Sequence, residues 1–153
     1  MNYWYTGEKI FTCPQFYPSY ITFSSKLPLP TYFSAEIRII KSANSAYGIM
    51  LGVSNSPIHE PISSYCGWTS VPTWGYFNNT GLRYHSKQSK SYGSNYGTGA
   101  IITIKYDRSK QLSYAVNGVD QGIAWSDLNP PMYLVASLYY SGNTIEILKI
   151  KAE

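Results

Sequence analysis

The sequence predicts an all-β fold, a sandwich of two antiparallel sheets, and three observations lead there. Short runs of alternating apolar and polar residues recur along the chain, separated by Gly, Pro, Asn and Ser. No stretch carries apolar residues at helical spacing for long enough to bury a stripe. Within LSYAVNGVDQGIAW, Leu112 to Trp125, the pair Asn117-Gly118 tolerates the positive φ angles that a tight hairpin needs.

Glu8–Thr12 and Tyr20–Ser24 are the first strand candidates, both short. Phe33–Lys41 follows, with Phe33, Ala35, Ile37 and Ile39 on one face and Ser34, Glu36 and Arg38 on the other. In Tyr47–Val53, Tyr47, Ile49, Leu51 and Val53 share a face. Ala46, Gly48 and Gly52 leave the opposite face small, which lets a neighbouring layer or backbone come close. Ala100–Asp107 sets Ile102, Ile104 and Tyr106 against Ile101, Thr103 and Lys105. The polar run Asp107-Arg108-Ser109-Lys110 turns the chain into Leu112–Val116, where Leu112, Tyr114 and Val116 point one way. Gly122 is a second break, after which a short return strand ends at Trp125.

Ser126-Asp127-Leu128, ahead of Asn129-Pro130-Pro131, reads as one short helical turn. Met132–Tyr140 is apolar on both sides, the pattern of a strand in the middle of a sandwich, and Thr144–Ile150 closes the chain. The long connections are Ser54–Thr73 and Ser86–Gly99; compact domains keep such loops where they are used for binding. There is no internal repeat and no linker-like tract, so residues 1–153 read as one domain with its core motifs between 33 and 150.

A chain of 153 residues can bury roughly 70% of its unfolded surface without staples. Aromatics make up 16% of it, with sixteen tyrosines, and charged residues only 13%, which excludes a disordered chain or a coiled coil. The formal charge of +4 is too mild to define a nucleic-acid binder. Cys13 and Cys66 have neither CxxC spacing nor a nearby His; they read as reduced thiols of a cytosolic protein, with one disulfide as the alternative. No apolar run reaches the length of a membrane span, and MNYWYTGEKIF lacks the layout of a signal peptide, so the cytoplasm is the default location. Asn78-Asn79-Thr80 has the form of a glycosylation acceptor and, without a secretion signal, reads as chance.

A succession of motifs covers roughly the last two-thirds of the chain: IMLGVS at Ile49–Ser54, WGY at Trp74–Tyr76, Gly81, and YGSNYGTG at Tyr92–Gly99. IITIKYD ending at Asp107, LSYAVNG at Leu112–Gly118, QGIAW at Gln121–Trp125 and PPMYLVASL at Pro130–Leu138 complete it. In this order they resemble the SPRY domain, the core of the larger B30.2 module and a concanavalin A-like sandwich. The sequence departs from the family pattern at Gly99-Ala100, where the family has Gly-Asp, and at Leu134, which stands for the second Pro of Pro-x-Tyr-Pro.

The resemblance implies a non-catalytic binding module for proteins or peptides, used as an adaptor or substrate-recognition unit, without cofactor or metal. Among SPRY proteins linked to ubiquitin ligases through a SOCS box, three loops form the peptide-binding face. Carried over by position, these are Ser24–Pro30, Gly67-Trp68-Thr69 and Tyr139-Tyr140-Ser141. The implied contact residues are Trp68, Tyr139 and Tyr140, with Ser25, Lys26 and Leu27 at the edge. Ser25 and Leu27 stand where those relatives have Arg and Pro, so the peptide preference should differ.

Other readings compete with this one. Trp68, Tyr139 and Tyr140 could simply cover the ends of the sandwich. Arg83, Lys87 and Lys90, interleaved with Tyr84, His85, Tyr92 and Tyr96, form a basic-aromatic segment suited to single-stranded nucleic acid. Aromatic platforms also suit sugar rings, which gives a lectin-like alternative. Catalysis has less to stand on. The eight acidic residues show no spacing that pairs two carboxylates on a strand face, and His59 and His85 are isolated from any ligand set. The sequence reading is therefore a monomeric domain, alone or within a longer protein, that binds a polypeptide.

Overall fold

The computed structural model describes residues 9–13, 20–43, 48–139 and 142–153. Among these residues twelve strands and no helix are found, arranged as two antiparallel sheets of six strands. Across the first sheet lie β1 (Ile10–Thr12), β12 (Thr144–Ala152), β3 (Phe33–Lys41), β8 (Ile101–Tyr106), β9 (Leu112–Val116) and β10 (Val119–Trp125). Across the second lie β2 (Ile21–Ser24), β11 (Tyr133–Leu138), β4 (Ile49–Ser54), β5 (Thr73–Phe77), β6 (Leu82–His85) and β7 (Gln88–Ser91).

The alternation in the sequence becomes the inter-sheet core. Phe33, Ala35, Ile37 and Ile39 of β3 are fully buried, with Ile102, Ile104 and Tyr106 of β8 beside them and Ile49, Leu51 and Val53 of β4 in the facing sheet. β11 sits between β2 and β4 and is buried on both faces: Leu134, Ala136 and Leu138 point into this core, while Val135 belongs to a second cluster on the far side. Tyr114 spans the layers, its hydroxyl donating to Leu51 O at 2.9 Å. Tyr76 packs edge-on against Tyr114 and Tyr96, both at 5.0 Å, and the Tyr96 hydroxyl donates to Tyr76 O at 2.7 Å. The phenols of Tyr114 and Tyr96 thus each find a carbonyl, which removes most of the cost of burying them.

The Asn117-Gly118 hairpin forms as expected, with both residues at positive φ (50° and 80°). Gly122, at φ 90°, falls where the β9–β10 register shifts, so the second turn signal is a bulge that bends the edge strand. Cys13 and Cys66 are both free and buried.

Two expectations are corrected. Ser126–Leu128 is a bend, not a helical turn: Asp127 takes φ 61°, and buried Leu128 donates its N–H to Lys110 O. Ser86–Gly99 is not one open connection, because β7 occupies Gln88–Ser91. Its Gln-Ser-Lys-Ser sequence has no apolar face to alternate, since β7 is a sheet edge exposed throughout. Tyr47, within one expected strand, lies outside the described residues.

Candidate functional site

The connection 55–72 folds back across the outer face of the second sheet, and the residues under it explain how. Beside the apolar Met50, Phe77 and Val135, that face carries small or hydroxyl side chains where an outward strand face usually carries long polar ones. Gly52 and Gly75 are directly opposed in register. A Cβ on Gly75 would lie 2.5 Å from the Cys66 side chain of the crossing segment, whereas one on Gly52 would lie 1.6 Å from Trp74 O of the neighbouring strand β5. The hydroxyls then receive the backbone of the crossing segment: Ile58 N–H donates to Ser24 Oγ (2.8 Å), Cys66 N–H to Ser137 Oγ (3.1 Å) and Gly67 N–H to Thr73 Oγ1 (2.8 Å). Ile62 exchanges two backbone hydrogen bonds with Thr22. The Cys66 thiol is sealed beneath, where desolvation pushes its pKa up to about 12 despite contact with Ser137.

Rings cap this layer. Tyr65 packs against Trp68 (5.0 Å), Tyr84 (5.9 Å) and Tyr20 (5.1 Å), and Tyr20 packs edge-on against Tyr139 (4.9 Å). Tyr84 in turn meets Trp68 at 5.7 Å and Phe77 at 6.0 Å. Trp68 and Tyr139 remain half-exposed, so the layer offers two aromatic surfaces held by rigid neighbours.

The residues expected at a binding face fall in two places. Trp68 and Tyr139 join one aromatic cluster through Tyr65 and Tyr20. Tyr140 lies outside the described residues. Ser25, Lys26 and Leu27 sit at the other end of β11, because antiparallel pairing sets Ser24 against Val135 and Ile21 against Leu138. Ser25 is buried, its hydroxyl accepting from Leu134 N–H (3.1 Å) and donating to Leu27 O (2.9 Å); Lys26 and Leu27 are exposed. The reason is directional: the loop after β2 leaves the sheet where β11 begins, whereas Tyr139 follows the end of β11.

The basic-aromatic segment forms a hairpin with two different faces. Tyr84 points outward beneath Trp68, whereas Arg83 and His85 point toward the first sheet. There Arg83 lies over the Trp125 ring of β10 at 5.5 Å, and His85 stacks on Trp74 at 4.2 Å. His85 Nδ1 is 2.9 Å from Thr73 O, an atom that can only accept, so Nδ1 carries the proton. Arg83, His85, Gln88, Ser89, Lys90 and Trp125 line a cavity of about 340 Å³ between the two sheet edges. The turn residues Ser86 and Lys87 both take positive φ (52° and 60°), and Lys87 N–H donates to Gly67 O at 2.8 Å. Tyr92 and Tyr96 leave this surface: Tyr96 is buried in the core and Tyr92 packs against Tyr76 and Tyr114. The sequence reading missed Trp125 as a member of this group; only the pairing of β10 beside β9 brings it there.

The described residues thus form two stacked six-stranded antiparallel sheets, with an aromatic layer over the outer face of the second. Comparison with known proteins then fixes the family: the SPRY domain model matches residues 31–151, and the chain belongs to the SPRY domain family. It is 27% identical over 126 residues to the Ran-binding proteins 9/10 homolog of Drosophila melanogaster, covering 78% of this chain and 12% of that much longer protein. The fold matches the SPRY domain of human HERC1 with a TM-score of 0.74 at 20% identity, covering 92% of this chain and 88% of that one. A second human SPRY domain matches with a TM-score of 0.75 at 15% identity, over 95% and 94% of the two chains. SPRY domains are in general protein-interaction modules and typically non-catalytic. No helix among the described residues is long and apolar enough to cross a membrane.

Proposed function

We propose that the chain binds a partner polypeptide through the aromatic layer over its second sheet, with Trp68 and Tyr139 as anchors and no catalytic step. The observation that carries this reading is the support beneath Trp68. Its ring is half-exposed, yet it is fixed by Tyr65 and Tyr84 on a segment tied down through Ser24, Ser137 and Thr73. A large ring already held in place loses little entropy on binding, which is how aromatic hot spots work. The binding mode of the SOCS-box-linked relatives serves as the template, with Tyr140 beside Tyr139 in sequence. Ser25 then acts as scaffold, and Lys26 and Leu27 form a separate contact at the far end of β11. The domain serves as an adaptor or substrate-recognition unit in the cytoplasm.

A displayed random-peptide library screened against the chain, followed by titration of the selected peptides, tests this. Trp68→Ala and Tyr139→Ala should each weaken binding at least tenfold while leaving the circular dichroism unchanged. Equal affinity in both variants, or saturable binding on a glycan array with none to peptides, would remove the proposal.

A further inference from the structure

Among the described residues the second sheet ends in β7, exposed along its whole length, with no strand beyond it. The first sheet ends in β10, and the two edges meet on one side of the sandwich, where Arg83 covers Trp125 and the Tyr92 hydroxyl donates to Gly122 O. Among the described residues the groove between them is lined by Arg83, His85 and Lys90 and by no carboxylate, and Lys87 lines an adjoining cavity of about 480 Å³. Among the described residues the ion pair found is Arg38–Glu146, so Arg83, Lys87 and Lys90 carry no matching acid. The acid on β10, Asp120, accepts from Gly122 N–H at 2.8 Å within its own bulge.

A lysine on an edge strand is in itself a device against unwanted strand pairing. That role needs one exposed charge. It does not require a guanidinium laid on an indole. We propose that this groove takes an extended acidic segment of a partner polypeptide, laid beside β7 with carboxylates toward Arg83, Lys87 and Lys90. Antiparallel pairing leaves alternate backbone groups of an edge strand pointing outward, ready for an added strand. In such a strand every second side chain faces the groove, about 7 Å apart, so one acid meets Arg83 and Lys90, which are opposed in register, and the next lies toward Lys87 at the turn. Arg83 is already oriented by Trp125 for planar carboxylate recognition. A single-stranded nucleic acid fits less well, because it binds by stacking bases on rings and the indole in the groove is covered by Arg83. The site is separate from the Trp68 face, since Trp68 packs on Tyr84 on the other side of the hairpin.

The test is fluorescence anisotropy of the full chain with a labelled ten-residue peptide alternating Glu with Val and Thr. Its Gln-substituted counterpart and an oligouridylate serve as competing probes. The Glu peptide should bind saturably, with the Gln peptide at least tenfold weaker. A Lys87→Asn/Lys90→Glu double variant, with Asn chosen because it tolerates positive φ, should also lose at least tenfold. Lys149→Glu on the first sheet and Trp68→Ala should each change affinity less than twofold, which separates this site from the aromatic layer. Absence of saturable binding, equal affinity for the Glu and Gln peptides, an unaffected double variant, or tighter binding of oligouridylate would overturn the proposal.

Discussion

The two outer faces of the sandwich are built from the same kind of strand and end up with different fates. On the first sheet, Ser34, Glu36, Arg38 and Lys105 face solvent, and Arg38 pairs with Glu146 at 3.3 Å across the β3–β12 ladder. On the second, Thr22, Ser24, Thr73, Gly75 and Ser137 face a segment of the chain's own fold. Long charged side chains keep a face wet. Glycines and short hydroxyls let backbone approach and give it hydrogen-bond partners, so a loop becomes a third layer that can present Trp68.

The largest loss is expected from Gly52→Ala, which strikes the β4–β5 pairing on which the second face is built. A Cβ there meets backbone, Trp74 O, which cannot rotate away, so the loss should be about 3 kcal/mol or more. Urea unfolding measures it, and a near-native midpoint would show that the close approach is not needed.

Ser137→Ala comes next. It leaves the buried Cys66 N–H without its acceptor and removes one of two partners of Thr22 Oγ1, which keeps Ser64 O, for a loss of about 1–3 kcal/mol. Arg38→Ala, which breaks an exposed ion pair on the other face, should cost well under about 1 kcal/mol. If the two variants lose the same stability, the two faces do not differ as described.

The third expectation concerns pH. Burial raises the Cys66 thiol from 9.0 to about 12 and pushes the phenols of Tyr96 and Tyr114 well above 10.0. The folded state therefore holds these protons more tightly than the unfolded chain. The stability this contributes is complete below pH 9 and is lost as pH climbs through the raised values. Thermal midpoints should fall from pH 9 to pH 11, and Cys66 should resist iodoacetamide at pH 8 until the chain is unfolded in urea. A midpoint that rises over that range contradicts the burial.

The smallest effect is a gain. Replacing Ser86-Lys87 with Asn-Gly relieves two positive-φ residues in the β6–β7 turn and should stabilise by about 0.5–1 kcal/mol.

Alternation made most of the fold legible. The Phe33–Lys41 reading coincides with β3 because both ends are marked by a change in side-chain pattern, and Asn117-Gly118 specified its turn through backbone sterics alone. β7 was invisible because an exposed edge needs no apolar period. The helical turn at Ser126 failed because tertiary hydrogen bonds to Lys110 O and from Tyr106 fix Leu128 instead. The site was legible only in part. Trp68 and Tyr139 stand in motifs, but their link through Tyr65 and Tyr20 depends on a loop crossing a sheet, which no local pattern reports. The placement of Ser25–Leu27 follows from strand direction, and Trp125 beside Arg83 follows from sheet order; both are global properties.

The account rests on a rigid aromatic layer that grips another polypeptide, and backbone amide exchange of the chain with and without a library-selected peptide addresses it most directly. Added protection should fall on the segment around Tyr65–Trp68, on Tyr84 and beside Tyr139, over a layer already slow to exchange in the free protein. Protection confined to the outer face of the first sheet, or a segment 55–72 that exchanges freely without peptide, would contradict it.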